Sequence, residues 1–328
     1  MESLVKVFGC GALNRDLIFE VEELEALKKI DDRVFPGAEV KLERNEFLKL
    51  LKEVEKIGNC VFEGGGGSAA NTIYALSNWG FNTGFVGIVG EDEEGKKIYD
   101  ELEKAGVDLS LVFKKGTTSI ALIVLDKRKD RFIAVSPGTG ENYLPEFISE
   151  VLKSSEALKS QFHFTSFASE QGKNFQLSLL ENLRSKIFFD PGEIYCRRGR
   201  KFLLPWLKKT DYLFITRQEV KFIGGVLYRE FFNLGIKAVF LKMGSRGAVV
   251  ITPKEEIYHP GLKVDKVIDN TGAGDYFNAG VIAGTLLGLK LECILRLANY
   301  CAGQSLRDYA RRGCISKEEF KNQLNLLK

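Results

Sequence analysis

Asp269-Asn270-Thr271-Gly272-Ala273-Gly274-Asp275 is the stretch on which the reading of this chain turns. It leads into Tyr276-Phe277-Asn278-Ala279-Gly280-Val281, a run rich in small residues that reads as a helix. Gly272 and Gly274 free successive backbone N–H groups to point at one spot. The helix N-terminus adds the positive end of its dipole there, which suits phosphate. Asp275 sits at the same end, so its carboxylate is expected to stay ionised at neutral pH. An anion cradle beside an ionised base is what phosphoryl transfer to an alcohol requires. A simple helix cap does not account for Asp269, Gly272, Gly274 and Asp275 together. No Gly-Lys pair is followed by Ser or Thr, so a Walker A loop is absent and a P-loop nucleotidase is disfavoured.

Upstream of this stretch, short apolar runs alternate with helical patterns. Val5-Lys6-Val7-Phe8 reads as a first strand ending in Gly9-Cys10-Gly11. Residues 85–89, 162–164, 187–189, 212–215, 238–241 and 248–251 read as further strands. Residues 120–125 and 132–135 read as a hairpin around a polar turn. Phe47, Leu50, Leu51, Val54 and Ile57 share one helix face at i, i+3, i+4 spacing, and Leu177, Leu180 and Leu183 repeat the pattern. Strands alternating with helices imply βαβ units and a largely parallel sheet covered on both faces. Two segments interrupt that rhythm, from about 13 to 62 and from about 112 to 136. They are expected either to pair into a small β-sheet lid over the mouth of a site or to decorate an edge.

A second glycine cluster, Gly64-Gly65-Gly66-Gly67, precedes Ser68-Ala69-Ala70-Asn71 and a helical stretch. Ser68 is expected to be the helix N-cap. Asn71, in the first helical turn, is placed to hydrogen-bond a polar ligand. Gly64, Gly66 and Ala69 also satisfy a loose GxGxxA dinucleotide fingerprint, but far from the first strand.

The 328 residues contain no evident linker, so 1–328 is read as one domain. Lys plus Arg number 47 and Asp plus Glu 44, a net charge of +3 that argues against a nucleic-acid or membrane binder. Six scattered cysteines without CxxC spacing suggest neither zinc nor redox chemistry, and fit a reduced, cytoplasmic protein. The N-terminus does not resemble a signal peptide, and no apolar run reaches transmembrane length. Glycine is the one unusual component, at 33 residues. The basic runs Lys127-Arg128-Lys129 and Arg197-Arg198-Gly199-Arg200-Lys201 are read as solvated loops, with contact to a substrate phosphate as the alternative.

Taken in order, these motifs resemble the PfkB, or ribokinase-like, family of carbohydrate and nucleoside kinases. Gly9 to Asp16 resembles the family's opening strand and sugar-binding Asp. Gly66-Gly67-Ser68-Ala69-Ala70-Asn71, continuing to residues 87–95, resembles the first signature. Asp269 to Asp275 resembles the second, DTxGAGD. The resemblance implies a three-layer α/β/α core with a mostly parallel sheet and a small β-sheet lid. It also implies ATP-dependent phosphorylation of a hydroxymethyl group with Mg²⁺, and leaves open a monovalent cation. Carried over residue by residue, Asp275 would be the catalytic base, and the N–H groups of Gly272, Ala273 and Gly274 the anion hole. Asn14, Asp16, Gly66, Gly67 and Asn71 would hold the acceptor. Lys242, Gly244, Gly247, Thr271 and Asn299 would hold the nucleotide, and Glu219 and Asp269 a metal or its water. Three positions depart from the family pattern: Thr216 stands where NxxE has Asn, Asn270 replaces Thr, and Tyr276 is bulkier than usual.

The acceptor is read as a sugar, with a nucleoside as the alternative, because the long first insertion resembles the adenosine-kinase-like branch. Phe35, Phe162, Phe164 and Phe167 would stack on a base if they were not simply core. His163 and His259 are read as structural. A dinucleotide-binding oxidoreductase and a non-catalytic binding protein are the distant alternatives. Subunit pairing through a lid edge, giving a homodimer, is left open.

Overall fold

The structure is a computed structural model that describes residues 5–128, 130–225 and 228–327. Lys129 of the first basic run and residues 1–4 lie outside the described residues. The strands are β1 (Val7–Cys10), β2 (Asn14–Glu20), β3 (Glu39–Lys41), β4 (Asn59–Gly66), β5 (Thr83–Val89), β6 (Asp108–Lys114) and β7 (Ser119–Leu125). They continue with β8 (Arg131–Ser136), β9 (Gln161–Thr165), β10 (Ile187–Asp190), β11 (Tyr212–Thr216), β12 (Ala238–Lys242), β13 (Ala248–Ile251) and β14 (Glu256–His259).

The larger sheet has the order β14-β13-β12-β11-β10-β9-β1-β5-β6. From β6 to β12 every pairing is parallel, and β13 and β14 close one edge antiparallel. Its side chains alternate between two buried layers. Phe188, Phe214 and Phe240 enter one layer, and Leu213, Ile215, Val239 and Leu241 enter the other. Helices cover both faces, which is why these strands read as continuous apolar runs. Phe162, Phe164 and Phe167 are fully part of this core. The first strand begins two residues later than Val5, with pairing to β5 and β9 starting at Val7, and it continues through Gly9 and Cys10.

The two interrupting segments pair with each other. The smaller sheet has the order β3-β8-β7-β2-β4. Residues 112–114 are not part of it: they complete β6 in the larger sheet, so the second excursion enters the smaller sheet at Ser119. Helix α1 (Arg44–Ile57) covers one face, burying Phe47, Leu50 and Val54 against Leu122, Val124 and Phe132. Each such large apolar side chain contributes about 1.5–3 kcal/mol on full burial. Ile57, at the end of that stripe, is instead 46% exposed, because the helix stops there.

The first excursion leaves and rejoins the larger sheet at two close-set points. Residues 11–13 carry it from β1 into β2. Gly67 carries it back from β4 into helix α2 (Ser68–Asn78). Gly64, Gly65 and Gly66 are therefore strand residues rather than a loop, and Gly67, not Ser68, is the N-cap, with no side-chain cap bond. Gly67 has φ +101°, and a Cβ there would overlap the Ala12 carbonyl. A Cβ at Gly66 would overlap the Asp16 carboxylate across the β2–β4 pair. The glycines let the two crossings pack backbone to backbone.

Helix α3 (Glu93–Lys104) follows β5, and helices α4 (Ala273–Leu286) and α5 (Leu291–Ser305) lie near the C-terminus. A Cβ at Gly280 would meet the Ala298 backbone, so the small residues of α4 bring α5 into close contact. Among the described residues no helix is long and apolar enough to cross a membrane, and all six cysteines are free thiols.

Gly67→Ala is expected to cost about 2 kcal/mol or more, combining a disallowed φ with backbone overlap. Gly288→Ala, at φ +67° in open space, is expected to cost about 1 kcal/mol. Chemical denaturation of the two variants checks the order; equal costs would contradict the close crossing.

Candidate active site

A cleft of about 900 Å³ is lined by both sheets and by the start of α4. Gly272 enters α4 at φ +77°, in the left-handed region, and is its N-cap. That turn leaves the N-terminal N–H groups of α4 at the cleft wall, with Gly272, Ala273, Gly274 and Asp275 all lining it. Asp275 Oδ2 accepts a 2.9 Å hydrogen bond from Asn71 Nδ2, and its backbone carbonyl accepts from Thr72 Oγ1 at 3.1 Å. The first turns of α2 and α4 are thus joined at the cleft.

The loop before α4 is held by Asp269, which is 1% exposed. Its two oxygens accept from Thr271 N at 2.7 Å and Ala310 N at 3.0 Å. Each oxygen thus holds one backbone donor, so Asp269 orders the loop from behind the cleft lining. Thr271 itself lines the cleft.

On the smaller-sheet side stand Asn14 and Asp16, two residues apart on one face of β2. Asn14 Oδ1 and Asp16 Oδ1 are buried without a hydrogen-bond partner. Such orphaned acceptors are costly unless a ligand donates to them. At the far end lie Lys242, Gly244, Gly247 and Asn299. Lys242 Nζ donates to Asp190 Oδ2 at 2.5 Å, and Asn278 Nδ2 donates to the same oxygen at 2.7 Å. Gly244 is open, whereas a Cβ at Gly247 would strike the backbone of residues 259–261, so Gly247 is required first by that turn. Asn299 donates to the His259 carbonyl at 3.1 Å. Glu219 borders the cleft and closes a capping box with Thr216, its carboxylate accepting from Thr216 N at 2.7 Å. Thr216, the departure from NxxE, is the N-cap of the helix Arg217–Phe222, with its hydroxyl accepting from Glu219 N. Tyr276 turns away from the cleft, its hydroxyl reaching the Ala310 carbonyl at 3.3 Å. Its bulk is absorbed by the core.

The electrostatics correct one expectation. Burial pushes the Asp275 carboxyl up to about 7, against the Asn71 hydrogen bond, and nearby Asp190 adds to the rise. The helix dipole does not keep it fully ionised at neutral pH, because desolvation outweighs one amide donor. Burial also pushes Asp16 up to about 8, with Arg311 opposing. Glu39, on β3, rises to about 7 by burial, with Arg131 opposing. For Lys242 burial alone would lower the pKa, but Asp190 and Glu219 hold it above the usual lysine value.

The pfkB family carbohydrate kinase model matches residues 39–318. The chain belongs to the pfkB family. A pfkB-family kinase is a phosphotransferase acting on an alcohol group, and ATP is its expected phosphoryl donor. An uncharacterized sugar kinase of Archaeoglobus fulgidus is 33% identical over 245 residues, 72% of this chain and 96% of that one. An ATP-dependent ribose-1-phosphate kinase of Halopiger xanaduensis is 32% identical, covering 73% of this chain and 79% of its own length. The adenosine kinase structure from Sinorhizobium meliloti superposes with TM-score 0.83 over 98% of this chain and 100% of its own, at 20% identity, and shares the fold. Family membership replaces the dinucleotide reading of Gly64, Gly66 and Ala69, the first two of which are paired inside β4.

Within this kinase, Gly66 and Asp269 are the two nominated residues that do not line the cleft; they support it from behind. Sequence reasoning missed Asp190, whose position at the end of β10 carried no motif. It also missed Arg311, Arg131 and Glu39. Arg131 reaches from β8 across the cleft to the Asn270 carbonyl at 3.4 Å. The second basic run is surface: Arg197 pairs with Glu193 at 2.6 Å, Arg198 with Glu170 and Arg200 with Glu230.

The raised carboxyls fix a stability sign. Asp16, Asp275 and Glu39 bind their protons more tightly folded than unfolded. Between about pH 6.5 and 8 the folded state therefore holds more protons, and stability falls as pH rises. Below that range His163, held by burial down to about 4, works in the opposite direction. The unliganded protein is expected to melt lower at pH 8 than at pH 6.5, with the slope reduced in Asp16→Asn. A melting temperature that rises over that range would contradict the assignment.

Proposed function

We propose that the chain transfers the γ-phosphoryl group of ATP to a hydroxymethyl group of a sugar. Asp275 takes the hydroxyl proton, and the N–H groups of Gly272, Ala273 and Gly274 receive the charge that develops on the phosphoryl oxygens. The observation that carries this reading is the pair of orphaned acceptors, Asn14 Oδ1 and Asp16 Oδ1, facing the same cleft as Asp275. A carboxyl and an amide suit vicinal hydroxyls, and a missing hydroxyl leaves them unpaired.

An alcohol is a far weaker acid than a carboxylic acid. Asp275 therefore orients the hydroxyl and accepts its proton late, as a loose phosphoryl-transfer transition state allows. It must be deprotonated to do so, and its raised pKa makes it a better proton acceptor once it is. The nucleotide would lie along Lys242, Gly244, Gly247, Thr271 and Asn299. Mg²⁺ bound with ATP supplies charge neutralisation of the phosphate oxygens. Of the two acids nominated for such an ion, Glu219 lines the cleft and would order its water, whereas Asp269 lies behind the lining.

A sugar is favoured over a nucleoside because Phe277 is the one aromatic ring among the described lining residues, and it belongs to α4. The smaller sheet offers Ala121, Ile123, Ile133 and Val135 instead of a stacking face. A specific observation supports a sugar that already carries a phosphate. Arg128 and Arg131, on the β7–β8 hairpin, line the cleft, and neither makes a close salt bridge among the described residues, although Arg131 acts on the Glu39 and Asp275 carboxyls across the cleft. The Halopiger relative is named for such an acceptor.

ADP release with Mg-ATP is the test, across free sugars, sugar phosphates and nucleosides. Turnover is expected with a sugar or sugar phosphate, and Asp275→Asn should lower kcat by about 10²–10⁴-fold or more. No turnover with any acceptor, or an undiminished rate in Asp275→Asn, would sink the reading. If the acceptor carries phosphate, Arg131→Ala raises its KM and leaves that of ATP unchanged; equal KM changes point to an uncharged sugar.

A further inference from the structure

Arg311 lies in the short turn Ala310–Gly313, behind the cleft, and carries no motif. It is 4% exposed. Its Nε donates to Asn71 Oδ1 at 3.0 Å, and an Nη donates to the Gly66 carbonyl at 3.4 Å. Its other Nη lies 3.1 Å from Glu101 Oε2, on α3. Asn71 in turn donates to Asp275. Arg311, Asn71 and Asp275 are therefore a buried hydrogen-bonded chain to the start of α4, with the half-buried Glu101 paired to its outer end.

The chemistry of each member fixes the next. A guanidinium has only donors, so the Asn71 atom facing it must be the carbonyl oxygen. The amide nitrogen is thereby turned to Asp275, whose ionised carboxylate has only acceptors. Without Arg311 nothing on that side distinguishes the two ends of the amide. A flipped amide would set its oxygen against the Asp275 carboxylate and favour the protonated acid.

The backbone of the turn is held independently of this side chain. Ala310 N donates to Asp269 and the Ala310 carbonyl accepts from Tyr276. Ala310 takes φ +45° to do both, an unusual conformation for a residue other than glycine. The same carboxylate that orders the anion-binding loop thus places Arg311.

We propose that Arg311 is a positioning residue for phosphoryl transfer, holding the Asn71 amide so that its N–H group and not its oxygen meets the Asp275 carboxylate. This rests on the proposed role of Asp275, but its test does not need turnover. The other charged groups facing Asp275 are Asp16 and Glu39 from the smaller sheet, Arg131 from β8, Asp190 from β10 and Lys242 from β12. All of these stay unchanged in the variants.

The experiment is a ¹³C-carboxyl NMR titration of protein labelled at aspartate, with the Asp275 signal assigned by its loss in Asp275→Asn. Arg311→Met and Asn71→Leu are each expected to raise the Asp275 midpoint by about one pH unit. The double variant should show no more than the Asn71→Leu shift, because Arg311 acts through Asn71. Should Arg311→Met not fold, Arg311→Lys takes its place with a smaller upward shift. An unmoved midpoint in the Arg311 variant, or two shifts that add, would overturn the proposal. If the kinase reading holds, the acid limb of kcat/KM moves with the carboxyl titration. Absent turnover in the unaltered protein would sink that reading while leaving the titration decisive for Arg311.

Discussion

The cleft depends on one buried carboxylate that does not line it. Asp269 binds the N–H groups of Thr271 and Ala310, residues some forty positions apart, with its two oxygens. A backbone N–H taken out of water must find a partner, and here two do so on the same side chain. One belongs to the loop that opens α4. The other belongs to the turn that carries Arg311 and touches the smaller sheet, where Tyr309 donates to Glu20 at 2.9 Å and Arg312 reaches the Val61 carbonyl. Fixing that pair fixes the direction of the α4 N-terminus, the amide beside Asp275, and the seat of the smaller sheet.

Around this point the protein gathers charges that would be unfavourable in isolation. Asp16, Glu39, Asp190, Glu219 and Asp275 face one cleft, opposed by Lys242, Arg131 and Arg311. Lys242 is the compensation for Asp190: despite burial, the pair and the Asn278 amide hold the Asp190 carboxyl below the usual carboxylate range. Asp275 lacks such a cation in contact and rises. The two acids of one cleft are therefore pushed apart: its partners hold Asp190 ionised, and burial brings the Asp275 carboxyl up towards neutrality. The oxygen atoms of Asn14 and Asp16 that find no donor are the complementary feature, since a polyhydroxy acceptor would supply what the fold withholds.

Much of this was legible in the sequence, for identifiable reasons. Asp269 to Asp275 announces a glycine-entered helix start, and the structure puts that start at the cleft wall. The parallel sheet was readable because strands such as Tyr212–Thr216 are apolar on both faces. A small sheet from the two excursions was one of two readings left open, and their edges were not legible: Val112 and Phe113 are as apolar as lid strands and yet complete the larger sheet. The ionisation state of Asp275 was misjudged because a helix dipole can be inferred from sequence and desolvation cannot. Arg311 and Asp190 were invisible for a related reason. Each is a lone charged residue whose role comes from partners distant in the chain, Asn71 and Gly66 for one, Lys242 and Asn278 for the other.

The central claim is that phosphoryl transfer takes place between the α4 N-terminus and Asp275. The direct measurement is a crystal structure with ADP, Mg²⁺, aluminium fluoride and the acceptor found by turnover. The account predicts the planar fluoride species against the N–H groups of Gly272, Ala273 and Gly274, with the acceptor hydroxyl within hydrogen-bond reach of Asp275. A fluoride species bound elsewhere in the cleft, with Asp275 out of reach of the acceptor, would contradict it.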